Sequence, residues 1–164
     1  MKQIEDVLKY LEAVVEKPHP SFGDQPICPF AHKARIDGRI KFVVQELTER
    51  VLDQARWFMT QKEFELLMII HPTRNGVSLQ RLDELAKLVS DNLPECGAFT
   101  AHPDHDLCIG GVYTRREPYP SLQFIEKAHA KKASDILKKT RYYELWTEES
   151  LKYVGVSWIS LPPT

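Results

Sequence analysis

Apolar residues return at three- and four-residue intervals at the start of the chain: Ile4, Val7, Leu8, Leu11, Val14 and Val15. That spacing puts them on one face of an α-helix, predicted over residues 2–16 and stopped by Pro18 and Pro20. Residues 17–27 are rich in proline, glycine and polar side chains and read as a loop. Cys28-Pro29-Phe30-Ala31 follows. Proline is favoured at the first helical position, where its missing N–H would be unpaired anyway, so Cys28 is expected at the N-cap of a short helix over 29–35. After the turn at Asp37-Gly38, Ile40, Phe42, Val43 and Val44 mark a strand over 39–47. Thr48 is placed to cap a helix over 49–61 that turns Val51, Leu52, Ala55, Phe58 and Met59 inward. Residues 64–70 are almost continuously apolar, the pattern of a strand buried on both faces. Asn75-Gly76 is a turn, and Ser78 caps a helix through Leu79, Leu82, Leu85, Leu88 and Val89 that ends near Pro94. A weaker strand is predicted over 97–101, a helix over 120–139 and a last strand over 153–161. Between them, residues 103–118 carry little regular pattern outside 109–113, and irregular stretches of that length are often functional.

Strands alternating with helices argue for an α/β fold: a small, mostly parallel or mixed sheet of three to four strands with right-handed β-α-β crossovers and packed helices, in one domain. The alternative is an α+β sandwich with helices on one face.

Composition narrows the function classes. The chain has 164 residues and a formal net charge of −1, so no global field draws nucleic acid or an anionic membrane. The basic residues Lys127, Lys131, Lys132, Lys138, Lys139 and Arg141 read as a solvated helix face. Three cysteines at long spacing, Cys28, Cys96 and Cys108, argue against a secreted disulfide framework. The first residues lack the apolar core of a signal peptide, and no apolar run approaches the ~20 residues that span a bilayer. The expectation is a cytoplasmic protein with a small-molecule substrate and no nucleic-acid or membrane partner; homo-oligomerisation is left open.

Chemistry-bearing residues gather at strand ends and in loops, where sites on α/β scaffolds form. His71 and His102 each end a predicted strand and precede a proline, and Asp104 stands two residues beyond His102. If the two strands are neighbours, His71, His102 and Asp104 converge as two imidazoles and a carboxylate, a set that holds Fe(II), or secondarily Zn, with positions open for substrate. The alternative is that each His-Pro is a turn with its imidazole on a backbone carbonyl. Cys28 at a helix N-terminus is expected to have a lowered pKa, with His32 one turn on; the alternative is a small side chain filling a gap. Cys108 lies near His105 and Asp106, at spacings that match no standard zinc motif. Arg115 and Arg116, ahead of a helix start near Pro120, suit a carboxylate or phosphate, or one of them serves a structural pair. Gly110-Gly111 is a weak ligand signal, and no phosphate loop or dinucleotide fingerprint is present. Trp57, Trp146 and Trp158 read as core or partner-facing aromatics.

Cys28-Pro29-Phe30-Ala31, His71-Pro72 after an apolar run, Phe99-Thr100-Ala101-His102-Pro103-Asp104, and Arg115 with Pro118-Tyr119-Pro120 together resemble a bacterial family of uncharacterised proteins, domain-of-unknown-function family 1415, over residues 27–137. The resemblance implies that Cys28, His71, His102, Asp104, Arg115 and Tyr119 belong to one shared framework, and it carries no activity. The sequence departs from that pattern around 106–113.

Three functions are compatible with these residues. The first is an enzyme acting on an anionic, carboxylate-bearing metabolite, as a metal-dependent oxidoreductase or hydrolase, with Cys28, His102, Asp104, Arg115 and Tyr119 as catalytic candidates. The second is a metal-free enzyme with Cys28 as nucleophile and His32 or His102 as base. The third is a non-catalytic module that binds a ligand or partner through the same cleft.

Overall fold

The computed structural model describes residues 1–155. The first apolar stripe forms α1 (Lys2–Tyr10), which continues as a π-helical turn over Leu11–Val15. Glu16 closes that turn by donating its N–H to the Leu11 carbonyl at 2.8 Å. Residues 17–27 hold a two-stranded ribbon, β1 (Pro18–His19) and β2 (Gln25–Pro26), around a 3-10 turn. A short helix, α2 (Ala31–Ile36), follows and starts later than expected, so Cys28 lies in the turn ahead of it.

The centre is a β-α-β-α-β run: β3 (Ile40–Val44), α3 (Val51–Thr60), β4 (Leu66–Ile70), α4 (Leu79–Asn92) and β5 (Cys96–Ala101). The expected cap at Ser78 is present, its hydroxyl accepting the Arg81 N–H at 3.1 Å. Next come a small hairpin, β6 (Cys108–Ile109) with β7 (Val112–Tyr113), and then β8 (Ser121–Glu126), α5 (Lys127–Leu137) and α6 (Glu148–Tyr153). Gly110 and Gly111 make the tip of the hairpin, both at positive φ, the backbone a two-residue β-turn of this kind requires.

The four-stranded sheet has the order β3-β4-β8-β5. β3 and β4 are parallel, and β8 is antiparallel to both β4 and β5. This is a small α/β fold with a mixed sheet, and it corrects two expectations. The helix predicted over 120–139 opens as a strand: Leu122 and Phe124 are 0% exposed and point to one face, while Gln123 and Ile125 point to the other. That is the period of two that defines a strand. The second correction follows, because β8 occupies the place between β4 and β5. The strands that end at His71 and His102 are therefore not neighbours and stand about 10 Å apart, two strand spacings. Of the strand predicted over 153–161, Tyr153 ends a helix and residues 156–161 lie outside the described residues.

The two faces of the sheet differ. Leu67, Ile69, Leu122 and Phe124 pack against Val51, Ala55 and Phe58 of α3 and Leu82, Leu85 and Val89 of α4. On the opposite face, Val7, Leu11 and Val15 cover Met68 and Ile70. Beside them Phe99, Gln123 and Ile125 line a cavity instead of a packed layer. Among the described residues no helix is long and apolar enough to cross a membrane.

Gly76 shows how tightly one strand end is finished. A Cβ there would lie 1.8 Å from His71 Cε1, so Gly76→Ala must displace the imidazole. The expected cost is about 1–3 kcal/mol, as for other overpacked sites, read as a lower urea midpoint at unchanged slope.

Candidate functional site

The cavity on the open half of the sheet has a volume of about 280 Å³. Its floor is Met68, Phe99, Gln123 and Ile125, and one wall is Leu11 and Val15 of the π-turn. Opposite are Cys28 to Ala31, the small side chains Ala130, Ala133 and Ser134 of α5, and Tyr142, Tyr143 and Trp146. The Tyr142 ring stands 5.4 Å from Phe22 and 5.7 Å from Trp146, and the Tyr142 hydroxyl is bonded to the Ile27 carbonyl. This aromatic cluster anchors the segment after α5 over the cavity.

Three polar or charged positions of the long loop enter the lining: Thr114, Arg115 and Glu117. Arg115 lays its guanidinium over the Phe99 ring, 5.1 Å from the centroid. Among the described residues no carboxylate lies within ion-pair distance of it, whereas Arg35, Arg39, Arg56, Arg81 and Arg141 all have one. Arg116 is the structural arginine of the pair: its Nε donates to the His105 carbonyl at 2.8 Å and its guanidinium covers Tyr113.

Glu117 is only 6% exposed. Gln123 Nε2 donates to its Oε2 at 2.5 Å, and the Ser121 hydroxyl reaches Oε1 at 3.4 Å. Burial pushes its pKa up to about 7, against the opposing pull of those two donors and of Arg115. Cys28 is accessible and lines the same cavity. Its environment is mostly protein, and that desolvation raises the thiol pKa. The N–H groups of Phe30 and Ala31 and the charge of Arg115 act in the opposite direction and do not overcome it. The lowered pKa expected for Cys28 is thereby reversed, because a helix of only six residues, starting beyond Cys28, offers too little to offset burial.

Three buried side-chain polar atoms among the described residues have no hydrogen-bond partner: Thr114 Oγ1, Trp146 Nε1 and Tyr10 Oη. All three can donate. Thr114 and Trp146 line the cavity, and Tyr10 feels the charges of both Glu117 and Arg115, with burial taking its pKa to about 12. Buried polar groups are paired in the great majority of proteins, so two orphaned donors in a cavity that also holds an unpaired guanidinium call for a physical cause.

The remaining sequence candidates stand elsewhere. His71 is buried, and its Nδ1 takes the Thr73 N–H at 3.1 Å. His102 has both ring nitrogens engaged: Nε2 donates to the Val77 carbonyl at 3.0 Å, and Nδ1 accepts the Asp104 N–H at 3.0 Å. Asp104 points to solvent, 4.0 Å from His102 Nδ1. Among the described residues no group of three or more His, Cys, Asp and Glu is arranged to hold a metal ion. Tyr119 donates to Asp6 at 2.8 Å and ties the loop to α1. His32 binds Glu16 at 2.7 Å, in the network where Arg35 also grips Glu16, and no hydrogen bond joins it to Cys28. The structure therefore brings Cys28 and Arg115 to one cavity and leaves His71, His102, Asp104 and Tyr119 outside its lining.

Glu117, Thr114, Trp146 and Tyr10 were missing from the sequence candidates. The only signal for Glu117 was its place two residues after Arg115, on the same side of an extended segment.

The chain matches no protein-family model, no curated protein and no solved structure. The resemblance to domain-of-unknown-function family 1415 rests on its motifs alone.

Proposed function

We propose that the protein acts on a small metabolite that carries a carboxylate and an apolar body, bound in this cavity. Arg115 holds the carboxylate, Phe99, Ile125 and Trp146 contact the apolar part, and Cys28 is the reacting thiol. The observation that carries the reading is the unpaired guanidinium together with the orphaned hydroxyl and indole donors in one apolar cavity. A half-buried guanidinium in an apolar cavity has no anion beside it, and a ligand carboxylate supplies one. The Cys28 thiol is protonated at rest; when its proton passes to solvent, the Phe30 and Ala31 N–H groups stabilise the nucleophilic thiolate.

Alkylation tests the juxtaposition without knowledge of the substrate. Iodoacetate carries a carboxylate and iodoacetamide does not. At Cys28, labelling by iodoacetate relative to iodoacetamide is expected to exceed the same ratio at exposed Cys108 about tenfold, read by peptide mass spectrometry. Arg115→Ala should bring the two ratios together. Equal ratios in the wild type would remove Arg115 as the carboxylate seat. A second reading, a binding protein without turnover, is favoured by the raised Cys28 pKa. It predicts that Cys28→Ala leaves ligand affinity within twofold and removes no activity.

A further inference from the structure

Glu117 and Arg115 line one cavity and form no ion pair, the guanidinium lying over Phe99 and the carboxyl bonded to Gln123. A buried glutamate and a half-buried arginine that line one cavity without pairing leave a place for a third group beside them. The environment of the carboxyl is arranged unevenly. Oε2 is fixed by the short Gln123 amide contact, while Oε1 has only the long Ser121 contact at 3.4 Å. Gln123 is itself braced by Ser121 at 3.3 Å, so the group is oriented by β8 and does not swing.

We propose that Glu117 is the specificity residue of the cavity: as a neutral acid it donates its Oε1–H to a singly charged carboxylate seated on Arg115, and as an anion it expels that carboxylate. This rests on the Arg115 reading above. One proton therefore enters with each ligand bound when Glu117 starts ionised, and it stays on Oε1. No bond is made or broken in the ligand. The arrangement favours a monoanion: one positive charge and a neutral acid that cannot release its proton beside a bound anion.

The charged and titratable groups around Glu117 are few. Arg115 is on its own segment, Tyr10 comes from α1, and β8 contributes the neutral Ser121 and Gln123. The cavity lining also includes Cys28, Tyr142, Tyr143 and the pair His129–Glu65 at 3.8 Å. Histidine is the other side-chain type that changes charge in this pH range, so His129→Gln serves as the control.

The test is calorimetry of the full chain with phenylacetate and with hexanoate, at pH 6 and pH 8, each in two buffers of different ionisation enthalpy. With Glu117 titrating at about 7, affinity is expected to be about tenfold weaker at pH 8 than at pH 6, with close to one proton taken up per ligand at pH 8. Glu117→Gln should bind equally at both pH values and take up no proton, while His129→Gln keeps the wild-type profile. Binding by the wild type that neither weakens with pH nor takes up a proton overturns the role of Glu117 and leaves the carboxylate reading standing. A pH profile that survives in a folded Glu117→Gln, or vanishes in His129→Gln, overturns it too. Binding of neither acid at either pH, by wild type or by Arg115→Ala, overturns both.

Discussion

Glu117→Gln is expected to lose roughly 2–3 kcal/mol of stability as the pH falls from 6.5 to 4, over a range where the wild type changes little. The source of the loss is His105, only 1% exposed, whose pKa burial lowers from 6.5 to about 4. Its Nδ1 accepts the Leu107 N–H at 3.2 Å and its Nε2 faces the Tyr153 hydroxyl at 2.8 Å, an arrangement made for the neutral ring. A base with a depressed folded pKa contributes stability that is complete above 6.5 and is lost as protonation is forced, down to about 4. Glu117 works with the opposite sign. Its folded pKa is raised from 4.5 to about 7, so its contribution is complete below 4.5 and is lost as the pH rises through about 7. Each group changes stability by up to about 1.4 kcal/mol per pH unit, and between 4.5 and 6.5 the two slopes cancel. The variant removes one slope and exposes the other. Urea midpoints from pH 4 to 7.5 measure it, and His105→Gln should show the mirror image, gaining stability on acidification from 7 to 4.5. A folded Glu117→Gln with a flat profile would mean that His105 is not held neutral by the fold. A third effect enters as the pH falls below about 4.5, since Arg35 and His32 hold the Glu16 carboxyl below the usual range, and the stability it contributes is lost on further acidification.

The sequence offers His105 only as one possible ligand near Cys108 and does not mark Glu117 at all, so neither is legible as a buried titrating group, and the reason is physical. Local pattern reports which side of an element a residue is on, so α1, α3, α4 and the strands at Ile40–Val44, Leu66–Ile70 and Cys96–Ala101 were legible from periodicity and caps. The segment Ser121–Glu126 was not. Its six residues follow two prolines and run into a true helix at Lys127, so a single helical period fits the combined stretch about as well as a strand does. What makes it a strand is the slot between β4 and β5, a tertiary fact. That one misreading carried the site with it. With β8 absent, the strand ends at His71 and His102 become neighbours and the loop before it becomes a helix entry for Arg115. With β8 in place, the loop instead runs Thr114, Arg115 and Glu117 along the open face of the sheet. Cys28 and Arg115 were found by residue type and survive as cavity groups. Glu117 needed the burial that only packing creates.

Phe124→Ala and Arg115→Met, both acting across β8, are expected to move stability in opposite directions. Phe124 is fully buried where β8 meets α3 and α4, among Leu67, Leu85, Val89 and Leu122. Its removal forfeits a large apolar transfer energy and leaves a void that two helices and a sheet cannot close. The expected cost is about 3–5 kcal/mol, a large part of the whole for a domain of this size. Arg115→Met gives up a cation–π contact with Phe99, worth about 0.5–1 kcal/mol, and relieves a half-buried guanidinium with no carboxylate beside it. The net effect is expected between zero and about 1 kcal/mol of added stability, together with about 10–100-fold weaker carboxylate binding. Denaturant unfolding of both variants, beside phenylacetate calorimetry of Arg115→Met, measures the contrast. An Arg115→Met protein less stable by 2 kcal/mol or more would show that the guanidinium is a structural group with a partner in the fold. Retained stability with lost affinity would show the reverse: the helix-covered face of the sheet holds the protein together, and the open face keeps an arginine the fold does not need.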